Sequence, residues 1–267
     1  MHINRIIHGD CVNVLPGFAP ESVQFILTDP PYLVRYRPRD GRAVPNDSGD
    51  TWLKPAFVEM YRVLQPDAFC FTFYGWPHAD RFMQAFRAAG FRPVGHFSFP
   101  KHYSSSVGHV RCHHECGYLL AKGNPGRPRK PLADVIAWTE NTGNKLHPTQ
   151  KPTTVLLPLI DTYCPPGATV LDPFAGSGST LLAARMLGRS FLGVELDARY
   201  HATATKRLAV TSPEGAVASP VDEAALPTYF QNESDHAPRT RECLRQLHGE
   251  HLVTPTSRED SLTIITE

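Results

Sequence analysis

The sequence predicts an α/β protein built on a doubly wound, mostly parallel sheet. Short β-like runs alternate with amphipathic helical stretches as far as Leu208, the pattern of strands joined by crossover helices. The chain has 267 residues, 41% of them hydrophobic and 20% charged, which is the composition of a globular protein with a sizeable core. We predict strands at residues 5–8, 22–28, 68–74, 91–99, 116–121, 169–172 and 190–195, and helices at 52–64, 78–89, 153–163, 180–187 and 198–208.

In the first half of the chain, apolar spacing and turn residues define the elements. Residues 52–64 carry apolar side chains at helical spacing, and Pro66 follows where the helix should end. The uninterrupted apolar run at 68–74 predicts a buried strand. The helix at 78–89 is closed by Gly90, a residue typical of helix C-termini. Residues 5–8, 22–28, 91–99 and 116–121 are the other β-like runs of this half.

The second half follows a basic segment rich in Pro and Gly at residues 122–131. Residues 153–163 are predicted to be helical despite an internal proline. The strand at 169–172 leads through a glycine loop into the helix at 180–187, which Gly188 caps. The strand at 190–195 and the helix at 198–208 close this block.

Charge is distributed unevenly along a chain whose formal net charge is only +1. Residues 92–151 hold nine Lys and Arg against three Asp and Glu, whereas residues 208–267 hold four against ten. The basic stretch is suited to a polyanion, although a solvated basic surface explains it equally well. The acidic end of the chain, interrupted by prolines, is expected to be a flexible tail at 211–267 with at most one short helix, at 239–247.

The sequence also indicates the cellular compartment in which we expect the protein. The N-terminus lacks the pattern of a signal peptide, and no apolar run approaches the roughly 18 residues of a membrane-spanning helix. Six cysteines lie mostly within apolar stretches, which favours reduced thiols over disulfides. We expect a cytoplasmic protein with no membrane partner.

The glycine loop at residues 172–180 reads Asp-Pro-Phe-Ala-Gly-Ser-Gly-Ser-Thr and runs from a strand into a helix. Glycines allow a ligand to approach the backbone, and a helix N-terminus offers free amides. Glu195 ends the next strand, where a carboxylate can accept hydrogen bonds from both hydroxyls of a ribose. The loop matches neither the phosphate loop of ATPases nor the dinucleotide fingerprint. It therefore predicts a nucleoside ligand without a pyrophosphate.

A second polar segment, Asp29-Pro30-Pro31-Tyr32, directly follows a predicted buried strand. Two prolines fix the backbone and leave its carbonyls free to accept hydrogen bonds, and the carboxylate of Asp29 is a further acceptor. Tyr32 supplies a flat face. Acceptors beside an aromatic ring are suited to an exocyclic amino group on a planar base.

Taken together, Asp-Pro-Pro-Tyr and the later glycine loop resemble the amino DNA methyltransferases that use S-adenosylmethionine. The order of the two motifs resembles the circularly permuted β group of that family. Three further segments support the resemblance, which covers roughly residues 3–208: Ile7-His8-Gly9-Asp10, His114-Glu115 with Leu119-Leu120, and residues 145–152, which read Lys-Leu-His-Pro-Thr-Gln-Lys-Pro.

The resemblance implies a seven-stranded Rossmann-like methyltransferase domain at residues 1–210. Its halves would be catalytic at 1–122 and cofactor-binding at 145–210, with a small target-recognition segment at 123–144. The implied catalytic residues are Asp29, Pro30, Pro31 and Tyr32. The implied cofactor-binding residues are Asp10, Asp172, Phe174, Gly176, Ser177, Gly178 and Glu195, with Thr149 or Lys151 near the cofactor's carboxylate.

The implied activity is methyl transfer from S-adenosylmethionine to the N6 amino group of an adenine extruded from double-stranded DNA. Aspartate before Pro-Pro-Tyr favours adenine over cytosine N4 in the resembled family. We expect Lys101, Arg127, Arg129 and Lys130 to bind DNA. The small recognition segment predicts a short or loosely defined target sequence. Whether a cognate restriction nuclease exists, and whether the enzyme is a monomer or homodimer, stays open.

Other functions are compatible with these motifs. The alternatives are cytosine-N4 methylation, methylation of a protein glutamine and a non-catalytic DNA-binding subunit. The basic stretch favours a polyanionic substrate over a protein. Residues 112–116, Cys-His-His-Glu-Cys, contain zinc-type ligands, but their spacing within a predicted strand argues against a metal site. We therefore predict no metal.

Overall fold

The computed structural model describes residues 3–35, 45–104, 106–107, 109–139, 146 and 150–210. The expected helix at 239–247, the tail at 211–267 and most of residues 140–149 therefore lie outside the described part of the chain. Within it, no helix is both long enough and apolar enough to cross a membrane.

A seven-stranded sheet organises the described residues and confirms the predicted fold class. Its strands are β1 (Arg5–His8), β2 (Val23–Thr28), β3 (Leu64–Tyr74), β4 (Arg92–Pro100), β7 (His114–Lys122), β8 (Thr169–Asp172) and β9 (Ser190–Glu195). The order across the sheet is β1-β9-β8-β2-β3-β7-β4. β7 pairs antiparallel with both neighbours, whereas the other pairs are parallel. Six strands consequently place their carboxyl ends at one edge of the sheet, which we call the carboxyl edge.

Helices cover both faces of this sheet. One face packs against α1 (Cys11–Val14), α2 (Leu53–Val63) and α3 (Ala79–Ala89), and the other against α4 (Thr153–Tyr163), α5 (Ser179–Met186) and α6 (Ala198–Val210). Neighbouring strand residues alternate between these two cores. Ile26 belongs to the first core and Leu27 to the second, because successive side chains of a strand point to opposite faces.

The predicted boundaries differ from the observed ones mainly where α2 meets β3. We expected the strand to begin at residue 68, yet β3 begins at Leu64. The pairing of β3 with β2 jumps from Val23–Leu64 to Phe25–Phe69, so the intervening residues form a bulge that accommodates Pro66. The helix α1 was not predicted from the sequence, and it depends on Asp10, whose carboxylate accepts the backbone N–H of Val12 at 2.9 Å.

A short hairpin connects β4 to β7 at the carboxyl edge, and the sequence did not predict it. It contains β5 (Ser106–Val107) and β6 (Arg111–Cys112), which pair antiparallel with each other. The larger strands pair as far as Pro100 and His114, and the amide of Lys101 donates to the carbonyl of His113 at 2.6 Å. The hairpin therefore leaves the sheet at its carboxyl edge.

The segment after β7 begins at the opposite edge of the sheet. The amide of Asn124 donates to Asp67 Oδ1 at 2.7 Å, near the start of β3. The chain then returns along β4, where the amide of Ser98 donates to Asp134 and that of Trp138 donates to Pro100. The described part of the expected recognition segment thus runs alongside the edge strand.

Candidate active site

Loops at the carboxyl edge surround one cavity of about 460 Å³. Such a volume is typical of sites for small organic ligands. The wall combines the loop after β1, the Asp-Pro-Pro-Tyr segment after β2, the glycine loop after β8 and the end of β9. Its residues include Gly9, Asp10, Asp29, Pro30, Pro31, Tyr32, Trp76, Cys112, His114, Glu115, Pro173, Phe174, Gly176, Glu195 and Leu196.

The glycine loop is held in place from beneath by Asp172. One oxygen of this buried carboxylate accepts the hydroxyl of Thr28 at 2.9 Å and the amide of Phe174 at 3.1 Å. The first of these bonds ties the loop to β2, the strand that carries Asp29. Burial raises the pKa of Asp172 to about 7, although hydrogen bonds from Thr180, Phe174 and Thr28 oppose the rise.

Glycines shape the other end of this loop. Gly176 and Gly178 have φ values of 52° and 80°, which favour glycine, and Gly178 is the N-cap of α5. A side chain at Gly178 would also approach the Cβ of Ala204 to 3.1 Å. The loop therefore depends on glycine both for its backbone and for its packing against α6.

Glu195 links three of the loops that form the cavity. Its Oε2 accepts the amide of Gly176 at 2.7 Å, and its Oε1 accepts the amide of Asp197 at 2.8 Å. Its backbone carbonyl accepts the amide of Gly9 at 2.9 Å. Burial raises the pKa of Glu195, partly offset by these backbone hydrogen bonds. Each carboxylate oxygen still has a lone pair with which it can accept a hydroxyl.

The expected cofactor-binding residues divide into two groups. Asp10, Phe174, Gly176 and Glu195 reach the cavity wall, and the ring of Phe174 packs edge-on against Trp52 at 5.0 Å between centroids. Asp172, Ser177 and Gly178 are not part of the wall and support it from behind. Thr149 lies outside the described residues.

The expected catalytic residues line the same cavity, next to an acidic side chain that the sequence had not singled out. The hydroxyl of Tyr32 lies 2.8 Å from Asp29 Oδ1 and 2.9 Å from Glu115 Oε2, so it donates to one of these carboxylates at a time. Gly75 abuts this tyrosine: a Cβ at position 75 would lie 2.7 Å from the Cβ of Tyr32. The ring is thereby held from two directions.

Two buried lysines complete this cluster. Lys151 Nζ donates to Asp29 Oδ2 at 2.6 Å and to the Tyr32 hydroxyl at 3.1 Å, and Lys101 Nζ donates to Glu115 Oε1 at 2.8 Å. The lysine side chains are only 5% and 2% exposed. Two carboxylates and two ammonium groups balance in charge, which makes their shared burial tolerable. We call these five side chains, Asp29, Tyr32, Lys101, Glu115 and Lys151, the buried charge cluster.

The cluster sets the protonation of its members. Burial raises the pKa of Asp29, although the nearby Lys151 opposes this. Burial alone would also raise the pKa of Glu115, but Lys151 and Lys101 outweigh it and lower that pKa. Burial and the two carboxylates raise the pKa of Tyr32 well above its usual value, so the phenol keeps its proton. Asp29 is thus the carboxylate better suited to take up a proton during a reaction.

The structure alters three expectations about basic residues. Lys101, expected to contact DNA, is buried and paired with Glu115, because the strand end turns its side chain inwards towards the cluster. Arg127, Arg129 and Lys130 follow the anchor at Asn124, so their segment starts at the edge of the sheet opposite the cavity. Lys151 was expected near the cofactor's carboxylate, and the structure places its ammonium group on Asp29.

Sequence reasoning missed the roles of Glu115 and Trp76. The sequence indicated Glu115 only as part of a segment that resembles the family, and the available signal was an acidic side chain directly before the apolar run at 116–121. Trp76 is 61% exposed on the cavity wall, and its sequence context did not distinguish a core position from one at the rim. Among the described residues, no group of three or more His, Cys, Asp or Glu side chains converges as metal ligands would.

Asp172 makes the stability of the protein depend on pH. Between the ordinary aspartate pKa of about 4 and the raised value of about 7, the folded chain keeps a proton that the unfolded chain releases. The free energy of unfolding should therefore fall as pH rises from 4 to 7 and then level off. In Asp172→Asn this contribution, up to about 4 kcal/mol, is absent.

Urea unfolding of both proteins at pH 5 and pH 8 measures this contribution. The wild type should lose more stability between the two values than Asp172→Asn does. Equal losses would contradict the raised pKa of Asp172.

The fold and the cavity together define a class of protein. The sheet has seven strands, one of them antiparallel, and one cavity is lined by both the glycine loop and Asp-Pro-Pro-Tyr. These are the features of an amino DNA methyltransferase that uses S-adenosylmethionine. The chain belongs to the DNA methylase family, whose sequence model matches residues 23–206.

Comparison with known proteins supports this membership. The chain is 53% identical over 207 residues to YubD of Escherichia coli (strain K12), a protein named as a methylase, and the match covers 78% of this chain and 91% of that protein. Protein TTHA0409 of Thermus thermophilus, named as a DNA modification methylase and solved in complex with S-adenosyl-L-methionine, is similar with a TM-score of 0.59 and 25% identity, over 77% of this chain and 93% of that one. The PvuII DNA methyltransferase, described as cytosine-N4-specific, shares the fold with a TM-score of 0.63 and 17% identity, over 92% and 93% of the two chains.

Proposed function

We propose that this DNA methylase transfers a methyl group from S-adenosylmethionine to the exocyclic N6 of an adenine extruded from double-stranded DNA. One observation carries the proposal: the Asp29 carboxylate and Tyr32 lie in the same cavity as the glycine loop and Glu195. A methyl donor held at one end and an amine held at the other would meet within this cavity.

The cavity has the chemistry that S-adenosylmethionine requires. Glu195 and Asp10 supply carboxylates for hydroxyl and amino groups, while Phe174 and Leu196 supply apolar surface for an adenine ring. Gly176 lets the ligand approach the backbone closely. Thr149 and Lys151 remain our candidates for the cofactor's carboxylate, and Lys151 would have to leave Asp29 to serve there.

The cofactor supplies an electrophilic methyl group on a sulfonium. The protein's task is to position the amine and to accommodate its charge. Asp29 and the carbonyl of Pro30 accept hydrogen bonds from the amino group, which orients the nitrogen lone pair towards the methyl carbon. The nitrogen would gain a bond to the methyl carbon as the bond between that carbon and the cofactor's sulfur breaks, with the electron pair left on sulfur. The nitrogen would then carry a positive charge and release one proton. The Asp29 carboxylate is suited to receive that proton, because burial raises the pKa of this group.

Tyr32 has a second role in this scheme. Its ring forms part of the cavity wall and would stack on the extruded base. Because its hydroxyl is held by Asp29 and Glu115, the ring is oriented before the base arrives. This preorganisation lowers the cost of binding a base that has left the stack.

The choice of adenine rests on aspartate preceding Pro-Pro-Tyr in the resembled family. Cytosine N4 is the second candidate, because a cytosine-N4 enzyme shares the fold. Incubation with labelled cofactor and amplified DNA, which carries no methylated bases, tests both. Digestion should release N6-methyladenine. N4-methylcytosine would replace adenine by cytosine in the proposal, and absence of any labelled nucleoside would favour a protein substrate or a non-catalytic DNA-binding subunit.

We also propose that residues 1–210 suffice for catalysis. The family model ends at residue 206, and α6 is anchored to the domain by buried Leu208, whose carbonyl accepts a hydrogen bond from Arg185. A chain ending at Val210 keeps these contacts. It should methylate DNA within about twofold of the full chain's rate. Loss of activity together with an unchanged unfolding temperature would assign a catalytic role to residues 211–267.

A further inference from the structure

The hairpin between β4 and β7 borders the mouth of the active site. It joins the two strands at the carboxyl edge, and Cys112 and His114 at its second arm are part of the cavity wall. At the base of its first arm, Lys101 pairs with Glu115, which holds Tyr32. A partner lying on this hairpin would therefore also be next to any base held by Tyr32.

The hairpin exposes apolar and basic side chains to solvent and carries no acidic ones. Val110 is 63% exposed, and Tyr103 and Arg111 are also exposed. Trp76 protrudes from the neighbouring loop on the rim of the same cavity. Residues 101–114 contain no Asp or Glu and four histidines. Apolar and basic side chains without carboxylates complement a polyanion such as nucleic acid better than they complement a cationic partner.

We propose that this hairpin, with His102, Tyr103, His109, Val110, Arg111 and His113, is the surface that reads the DNA sequence around the target base. The inference rests on the proposed function and adds the location of specificity to it. Extruding a base leaves a gap in the stack, and apolar side chains are commonly inserted at such steps. Val110 fits that role, while Arg111 supplies donors for a guanine edge or a phosphate. Recognition then involves the hairpin between β4 and β7 and is not confined to the expected segment at residues 123–144.

The chain offers a matched pair of variants to test this assignment. Val110→Ala/Arg111→Ala changes the hairpin. The control, Val94→Ala/Arg127→Ala, removes the same atoms near the edge of the sheet opposite the cavity. Val94 is 40% exposed near the start of β4, and Arg127 follows the Asn124 anchor. Both variants lose one positive charge and the same apolar groups. Any non-specific effect of charge on DNA affinity is therefore equal in the two.

Three measurements are made on the full chain with each variant. Titration of amplified duplex DNA across a salt series gives affinity, calorimetry gives S-adenosylmethionine binding, and sequencing of methylated positions gives the target sequence. The hairpin variant should bind DNA about tenfold or more weakly, lower the salt slope by about one, and methylate a broader set of sequences. Its cofactor affinity should equal that of the wild type, and the Val94/Arg127 variant should match the wild type throughout.

Opposite results would overturn the proposal. If the hairpin variant keeps its affinity and target sequence while the Val94/Arg127 variant loses them, recognition belongs to the segment at 123–144. If both behave as wild type, neither surface reads DNA. A wild-type protein that binds the cofactor but methylates no DNA would instead refute the proposed function, which keeps the two failures separate.

Discussion

Replacing Asp29 by alanine should reduce methyl transfer by on the order of 10²-fold or more and leave cofactor affinity nearly unchanged. The carboxylate is the proposed acceptor for the amine, whereas the cofactor's expected contacts, Glu195 and the glycine loop, are separate parts of the cavity wall. Single-turnover kinetics with saturating DNA measures the first effect, and calorimetry with S-adenosylmethionine measures the second.

The alanine variant carries a structural cost that the experiment must separate from catalysis. Without Asp29, the ammonium group of Lys151 loses its 2.6 Å partner while still buried and keeps only the more distant Glu115 Oε2, at 3.9 Å, as a charged partner. Removing one partner of a buried ion pair costs about 3–5 kcal/mol. Asp29→Asn keeps an acceptor oxygen and the side chain's volume, and Asp29→Ala/Lys151→Met removes both charges together. All three should be inactive. If the double variant is folded and regains activity, Asp29 serves only to neutralise Lys151.

Removal of the Glu195 side chain should weaken S-adenosylmethionine binding by about 1–3 kcal/mol, because a buried hydroxyl then loses a charged acceptor. The structure adds a second reason. Glu195 also accepts the amides of Gly176 and Asp197, so Glu195→Ala releases the glycine loop as well. At saturating cofactor, the rate of methyl transfer should largely recover.

Calorimetry on Glu195→Ala and Glu195→Gln distinguishes these two contributions. Glutamine keeps an acceptor oxygen, yet its amide group cannot accept both backbone N–H groups as the carboxylate does. Asp197→Ala serves as the control, because it alters the neighbouring loop without removing the carboxylate. Unchanged affinity in Glu195→Ala would refute the assignment of Glu195 to the cofactor's ribose.

Local patterns in the sequence were sufficient for the fold. Strands β2, β8 and β9 were predicted to within one residue, because short apolar runs next to prolines, glycines and helical periods specify elements without knowledge of their partners. The elements that were missed are those with weak local signals: the four-residue helix α1, the hairpin strands β5 and β6, and the start of β3, which depends on a bulge paired with β2.

The residues of the candidate site also divide into those that local patterns predicted and those that they did not. Asp29, Tyr32, the glycine loop and Glu195 were recognisable from the sequence, because each follows a strand and parallel strands bring their carboxyl ends to one edge.

The partners of these residues were decided by tertiary structure alone. Lys151 meets Asp29 across 122 residues of chain and Tyr32 meets Glu115 across 83, contacts that no local pattern specifies. The sequence of β7 likewise did not indicate the direction in which this strand runs. Because β7 runs antiparallel to its neighbours, the hairpin before it lies at the cavity and the basic segment after it begins at the opposite edge. The sequence thus determined the chemistry at each strand end, and the order and direction of the strands determined which of those ends meet.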